Sequence, residues 1–170
     1  MESQLITKIQ QLAKDNFEEI LSIRRHIHQH PELSFQEFKT SQFIQSKLEE
    51  YGVEYKAGYV KTGIVALIKG KNPDSKTLAL RADMDALPIL EKTNLPFSSV
   101  NKGVMHACGH DVHTSCVLGA AAILNKLKNE FDSQLSVEDL NLLNSLRERV
   151  KSERLNMKST ITEIKNSDIS

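Results

Sequence analysis

Ile64-Val65-Ala66-Leu67-Ile68 is a continuous apolar run rich in β-branched residues. Such a run reads as a buried strand. Gly70, Asn72, Pro73 and Asp74 then form a turn cluster. Thr77-Leu78-Ala79-Leu80-Arg81-Ala82 follows as a second strand, ending at Asp83-Met84-Asp85. Helical patterns flank this pair on both sides, so the chain is expected to be α/β. Loops at strand ends of an open α/β sheet present functional side chains. Asp83 and Asp85 are therefore candidate catalytic acids, although aspartates serve equally well as strand-end turn residues.

Downstream, Pro88 and Pro96 punctuate a loop that reaches Met105-His106-Ala107-Cys108-Gly109-His110-Asp111-Val112-His113-Thr114. Thiolate and imidazole are good ligands for zinc and other borderline metals. Cys108 and His110 stand two residues apart. On an extended or turning backbone both can reach one ion, whereas on a helix they diverge. Gly109 relaxes the backbone between them. Packing alone accounts poorly for three histidines and a cysteine in so short a segment. A helix of small residues follows, carrying Val117, Leu118, Ala121, Leu124 and Leu127. Cys116 lies on it and reads as a small core hydrophobe.

Upstream, Leu5, Ile9, Leu12, Ile20, Ile23 and Ile27 repeat at helical spacing, broken only at Asn16. A helix is expected over residues 4–30, stopped by Pro31. His26, His28 and His30 near its end read as surface residues that complement the helix C-terminus. Ser34 with Glu37 matches a capping box, opening a helix that carries Phe35, Phe38, Phe43, Ile44 and Leu48 and stops at Gly52. Val53–Lys56 reads as a short strand.

The 170 residues hold 22 basic and 22 acidic side chains. That balance offers no footprint for nucleic acid or an anionic membrane. No run approaches the ~20 apolar residues of a membrane span, and no secretory signal is visible. Two cysteines make no disulfide framework, so a reducing, cytoplasmic compartment is expected. Every glycine, proline, histidine, cysteine and aromatic residue lies at or before Phe131. A core and its turns need those residues, so we expect one domain over 1–131 and a different, helical tail over 132–170. In that tail Leu143, Leu146, Val150, Met157 and Ile164 mark an amphipathic seam. A helix packed on its own domain explains the seam as well as self-association through residues 136–165 does.

Three motifs carry a resemblance. They are Arg24-Arg25-His26-Ile27-His28-Gln29-His30-Pro31-Glu32-Leu33-Ser34, Leu80-Arg81-Ala82-Asp83-Met84-Asp85-Ala86-Leu87-Pro88, and the segment Gly103–Thr114. Their order and content resemble the M20 family of metal-dependent peptidases and amidohydrolases, in the branch of hippurate hydrolases, auxin-conjugate hydrolases and N-acetyl-diaminopimelate deacetylases. The resemblance implies the N-terminal part of a zinc-peptidase-like α/β/α layer with a mixed sheet, followed here by a long C-terminal amphipathic helix. It implies Cys108 and His110 as metal ligands, with Asp83 an active-site acid and Asp85 its partner. It implies a divalent metal, zinc foremost and manganese or cobalt as alternatives, and a small N-acyl amino acid as substrate. The family's reaction is amide hydrolysis by water activated at the metal.

The tail departs from that pattern. The family's general base lies in a Glu-Glu pair after a further strand, and more histidine ligands follow. Glu138, Glu148, Glu153 and Glu163 are unpaired, and no histidine follows His113. The chain is therefore expected to be a truncated relative, inactive alone. The alternative is a non-catalytic relative that binds metal weakly and associates through its tail helix.

Overall fold

The computed structural model describes residues 2–74 and 77–130. Residues 1–132 form one compact unit. The tail helix and its seam over 136–165 lie outside the described residues. The elements are α1 (Glu2–Asp15), α2 (Phe17–Gln29), α3 (Phe38–Glu50), β1 (Glu54–Tyr59), β2 (Gly63–Leu67) and α4 (His110–Leu127). This is a mixed α/β arrangement of four helices and a small sheet.

The long N-terminal helix is two helices joined at Asn16. Hydrogen bonds from the Asn16 N–H to Leu12 and from the Ile20 N–H to Asn16 carry the ladder across the joint. The chain leaves α2 at His30 and Pro31, as a proline stop requires. The α3 start differs from the expected capping box. Ser34 does not cap it. The Glu32 carboxylate does, accepting the N–H groups of Lys39 (3.2 Å) and Thr40 (2.7 Å) and the Thr40 hydroxyl (2.8 Å). Glu37 instead accepts the Thr62 hydroxyl at 2.8 Å. At its other end α3 closes in a Schellman motif. The Val53 N–H reaches Leu48 and the Gly52 N–H reaches Glu49, with Gly52 at φ +66°.

β1 and β2 pair antiparallel, from Glu54 opposite Leu67 to Tyr59 opposite Gly63, with a bulge between Ala57 and Tyr59. The expected strand over Thr77–Ala82 is absent. Leu78 and Leu80 stand about half exposed, at 49% and 47%. An extended segment becomes a strand only when a neighbour completes its ladder. Among the described residues the sheet is two-stranded, so the mixed sheet is not formed there.

The core gathers Ile23 and Ile27 of α2, Ile44 and Leu48 of α3, Val53 and Leu118 of α4. α4 crosses α2 closely at Gly119, where a Cβ would come within 3.0 Å of the Ile20 side chain. Cys116, expected in this core, is exposed. It lies on the face of α4 opposite the one that buries Ser115, Leu118 and Ala122.

Candidate metal centre

Two isolated bridges assemble the site. Leu33 pairs with Ala86 and Leu87 pairs with Met105. The segment containing Asp83 and Asp85 is thereby laid between the chain leaving α2 and the chain entering α4. Gly109, at φ +86°, turns the backbone between Cys108 and the first residue of α4, His110. The left-handed conformation is open to glycine and strained for other residues.

His110 is oriented by Asp85. Its Nδ1 lies 2.9 Å from the Asp85 carboxylate and 3.0 Å from the Asp85 carbonyl. That leaves Nε2 without a hydrogen bond among the described residues, on a ring whose side chain is 23% exposed. A carboxylate or carbonyl on one imidazole nitrogen, with the other presented outward, is the arrangement that prepares histidine for a metal. The Cys108 thiol is solvent-accessible and free. Partial burial of its sulfur pushes its pKa up, while the backbone N–H of His110 pulls it down. Asp83 is placed differently. Its carboxylate pairs with Arg81 at 2.6 Å, and its carbonyl accepts the Thr114 hydroxyl at 3.0 Å.

The donors suit a divalent ion in kind: a thiol, an imidazole held by a carboxylate, and open access. In number they fall short of the three or four protein ligands that zinc takes. Among the described residues no group of three or more histidine, cysteine, aspartate or glutamate side chains is arranged to hold an ion.

Next to His110 in the chain, Asp111 joins a buried polar network that includes His28, a residue the sequence led us to expect at the surface. His28 is 4% exposed and Asp111 fully buried. His28 Nδ1 lies 2.7 Å from Asp111 Oδ2, and its Nε2 lies 3.2 Å from Glu91. Arg24 Nε reaches the same Asp111 oxygen at 2.9 Å. The Arg24 guanidinium also lies 5.1 Å over the Phe97 ring. Burial opposes the charge on Glu91, but the Ser99 N–H, the Thr93 hydroxyl and His28 outweigh it and hold its pKa at about 2. Burial lowers His106 to about 4. Both His106 ring nitrogens and Asp111 Oδ1 are buried without a hydrogen-bond partner. A signal for His28 was present in the sequence. Arg24 and His28 are spaced i, i+4, beside Ile23 and Ile27 on the apolar stripe.

Residues 79–138 match the family model described as peptidase family M20/M25/M40. The match covers both the Asp83–Asp85 and Cys108–His110 motifs and reaches past residue 131. An N-acetyl-L-cysteine deacetylase of Bacillus subtilis is 48% identical over 117 residues, which are 69% of this chain and 28% of that protein. An N-acyl-L-amino acid amidohydrolase of Geobacillus stearothermophilus is 43% identical over 128 residues, 75% of this chain and 34% of that protein. A solved structure of a dinuclear metal-binding M20 peptidase from Bacillus subtilis superposes with a TM-score of 0.65 at 48% identity, covering 68% of this chain and 32% of that one. The chain thus spans about a third of the length of the relatives it matches. On that stretch, with its motifs in place and its fold superposed, the chain matches the M20 peptidase family in sequence and in structure.

Proposed function

We propose that this chain supplies the Cys108–His110 part of a divalent-metal centre in an amidohydrolase that cleaves the amide bond of N-acyl amino acids. The observation that carries this is the Asp85–His110 hydrogen bond, which holds one imidazole nitrogen and leaves the other for a ligand, two residues along the chain from an exposed thiol. Relatives that match the same stretch are named for deacetylation of N-acetyl-L-cysteine and hydrolysis of N-acyl-L-amino acids. Zinc is the metal we assign, with manganese and cobalt as ions the same donors can take.

A bound divalent ion would polarise the amide carbonyl and lower the pKa of water at neutral pH. This chain's residues have simpler tasks. Cys108 and His110 hold, and Asp85 orients His110. Asp83 is proposed as a second acid that turns toward the site when released from Arg81. Glu91 is committed to His28, Thr93 and Ser99 and is not available as a base. We therefore propose that the 170 residues alone are inactive, since acid–base catalysis is typically worth ~10²–10⁴-fold. We further propose that residues 1–131 are the catalytic portion and 132–170 a separate tail, in a cytoplasmic protein. No helix among the described residues is long and apolar enough to cross a membrane.

The test replaces the corresponding segment of the Geobacillus amidohydrolase with residues 1–131. Release of free amino acid from N-acetyl and N-benzoyl amino acids is followed with added zinc, manganese or cobalt. We expect metal-dependent turnover in the chimera, its loss on His110→Ala, and none from the 170-residue chain alone. A folded, metal-loaded chimera without turnover would contradict the proposal.

A further inference from the structure

Asp111 follows His110 directly, in the first turn of α4, and is fully buried. One of its oxygens, Oδ2, faces two groups of α2, Arg24 Nε at 2.9 Å and His28 Nδ1 at 2.7 Å. His28 is gripped on its other nitrogen by Glu91, whose second oxygen accepts the Ser99 N–H at 2.6 Å. Three separate segments therefore converge on the residue beside His110: α2, the loop over 91–99, and α4.

The network is not an efficient stabiliser. A buried ion pair is weak evidence for stability, because desolvation offsets its attraction and apolar replacements are often neutral or better. Here the offset is visible, since Asp111 Oδ1 and both His106 nitrogens are buried without partners. Such a network does fix geometry. Asp111 follows His110 in the chain, and Asp85 holds the His110 ring. Asp111 ties the first turn of α4 to α2, as the Thr114 hydroxyl ties it to the Asp83 carbonyl.

We propose that Asp111, held by Arg24 and His28, is a positioning residue that sets His110 onto Asp85 and so leaves its other ring nitrogen for a ligand. The proposal rests on the metal-centre reading above for its purpose, and on the His110–Asp85 geometry for its test. Asp111 touches no reacting atom in this account and acts through His110.

The experiment uses the full chain and two variants, Asp111→Asn and Arg24→Lys. The first nearly preserves shape, and the second keeps the charge if the first fails to fold. The metal-free readout is the His110 ring by nitrogen-detected NMR: the Nδ1 proton bonded to Asp85 and its exchange with water. We expect slow exchange in the wild type and fast exchange in folded Asp111→Asn, with Arg24→Lys intermediate. The second readout is zinc affinity by chelator competition, expected to fall about 10–100-fold in Asp111→Asn, the range for groups that orient a ligand. A merely structural Asp111 would lower the melting temperature and leave the His110 signal and zinc affinity of the folded variants unchanged, and that result overturns the proposal. A wild type that shows the slow His110 proton but binds no zinc defeats the metal reading instead, and the exchange comparison still decides the tether.

Discussion

Gly109 decides at the scale of one residue how Cys108 and His110 can approach a common ion. Its φ of +86° is a backbone state that other residues adopt at about 1–2 kcal/mol. A Cβ there meets no neighbour within 4 Å, so Gly109→Ala carries that strain without a clash. We expect a loss of about 1–2 kcal/mol in urea unfolding; an unchanged midpoint would show that the turn is not held in this form. Glu91 makes a second prediction. Its pKa is held at about 2 in the folded chain against 4.5 as the ordinary value. The unfolded chain therefore binds more protons between those values, so stability falls as pH falls. The Glu91 contribution is complete above pH 4.5 and gone below about 2. The groups facing it are His28, Thr93 and Ser99, with Asp111 and Arg24 behind His28. The pH dependence of urea unfolding should be steeper in the wild type than in Glu91→Gln across that window; parallel curves would contradict it. Cys108 and His110 stand out in the sequence as candidate ligands because they lie two residues apart in the chain. The Arg24–His28–Asp111–Glu91 network does not, because its members are brought together from three distant segments. The place of His28 beside the apolar stripe marks it for burial, but does not name Asp111 and Glu91 as its partners.

Elements were legible where local chemistry sets them. Pro31 and Gly52 end α2 and α3 through backbone geometry alone. The β1–β2 hairpin was less so, since its turn puts Val60 at φ 49° and Lys61 at φ 79°. No Asn-Gly or Asp-Gly pair announces such a turn. Thr77–Ala82 failed as a strand for a non-local reason: its apolar pattern suits a sheet, and no pairing partner stands beside it. α4 packs on α2 because Gly119 lets it approach, a Cβ there falling 3.0 Å from two carbons of Ile20. Gly119→Val should cost about 1–3 kcal/mol by overpacking, read in the thermal unfolding of the full chain. A neutral or stabilising effect would show that the two helices are not in this contact.

Across the whole molecule, the described residues bury one core and leave Val65, Leu67, Leu78 and Leu80 about half exposed. Among the same residues no group of three or more histidine, cysteine, aspartate or glutamate side chains is arranged to hold an ion. Both facts accord with a chain that spans about a third of the length of its relatives. The family was legible in the sequence because its motifs are short and contiguous. The account therefore stands on whether Cys108 and His110 hold an ion together. Zinc titration of the full chain, with Cys108→Ser and His110→Ala alongside, measures this directly. The account predicts one weakly bound zinc, removed readily by a chelator and weakened by either substitution, because thiolate and imidazole are its protein ligands. Tight one-to-one binding that neither substitution changes would contradict it.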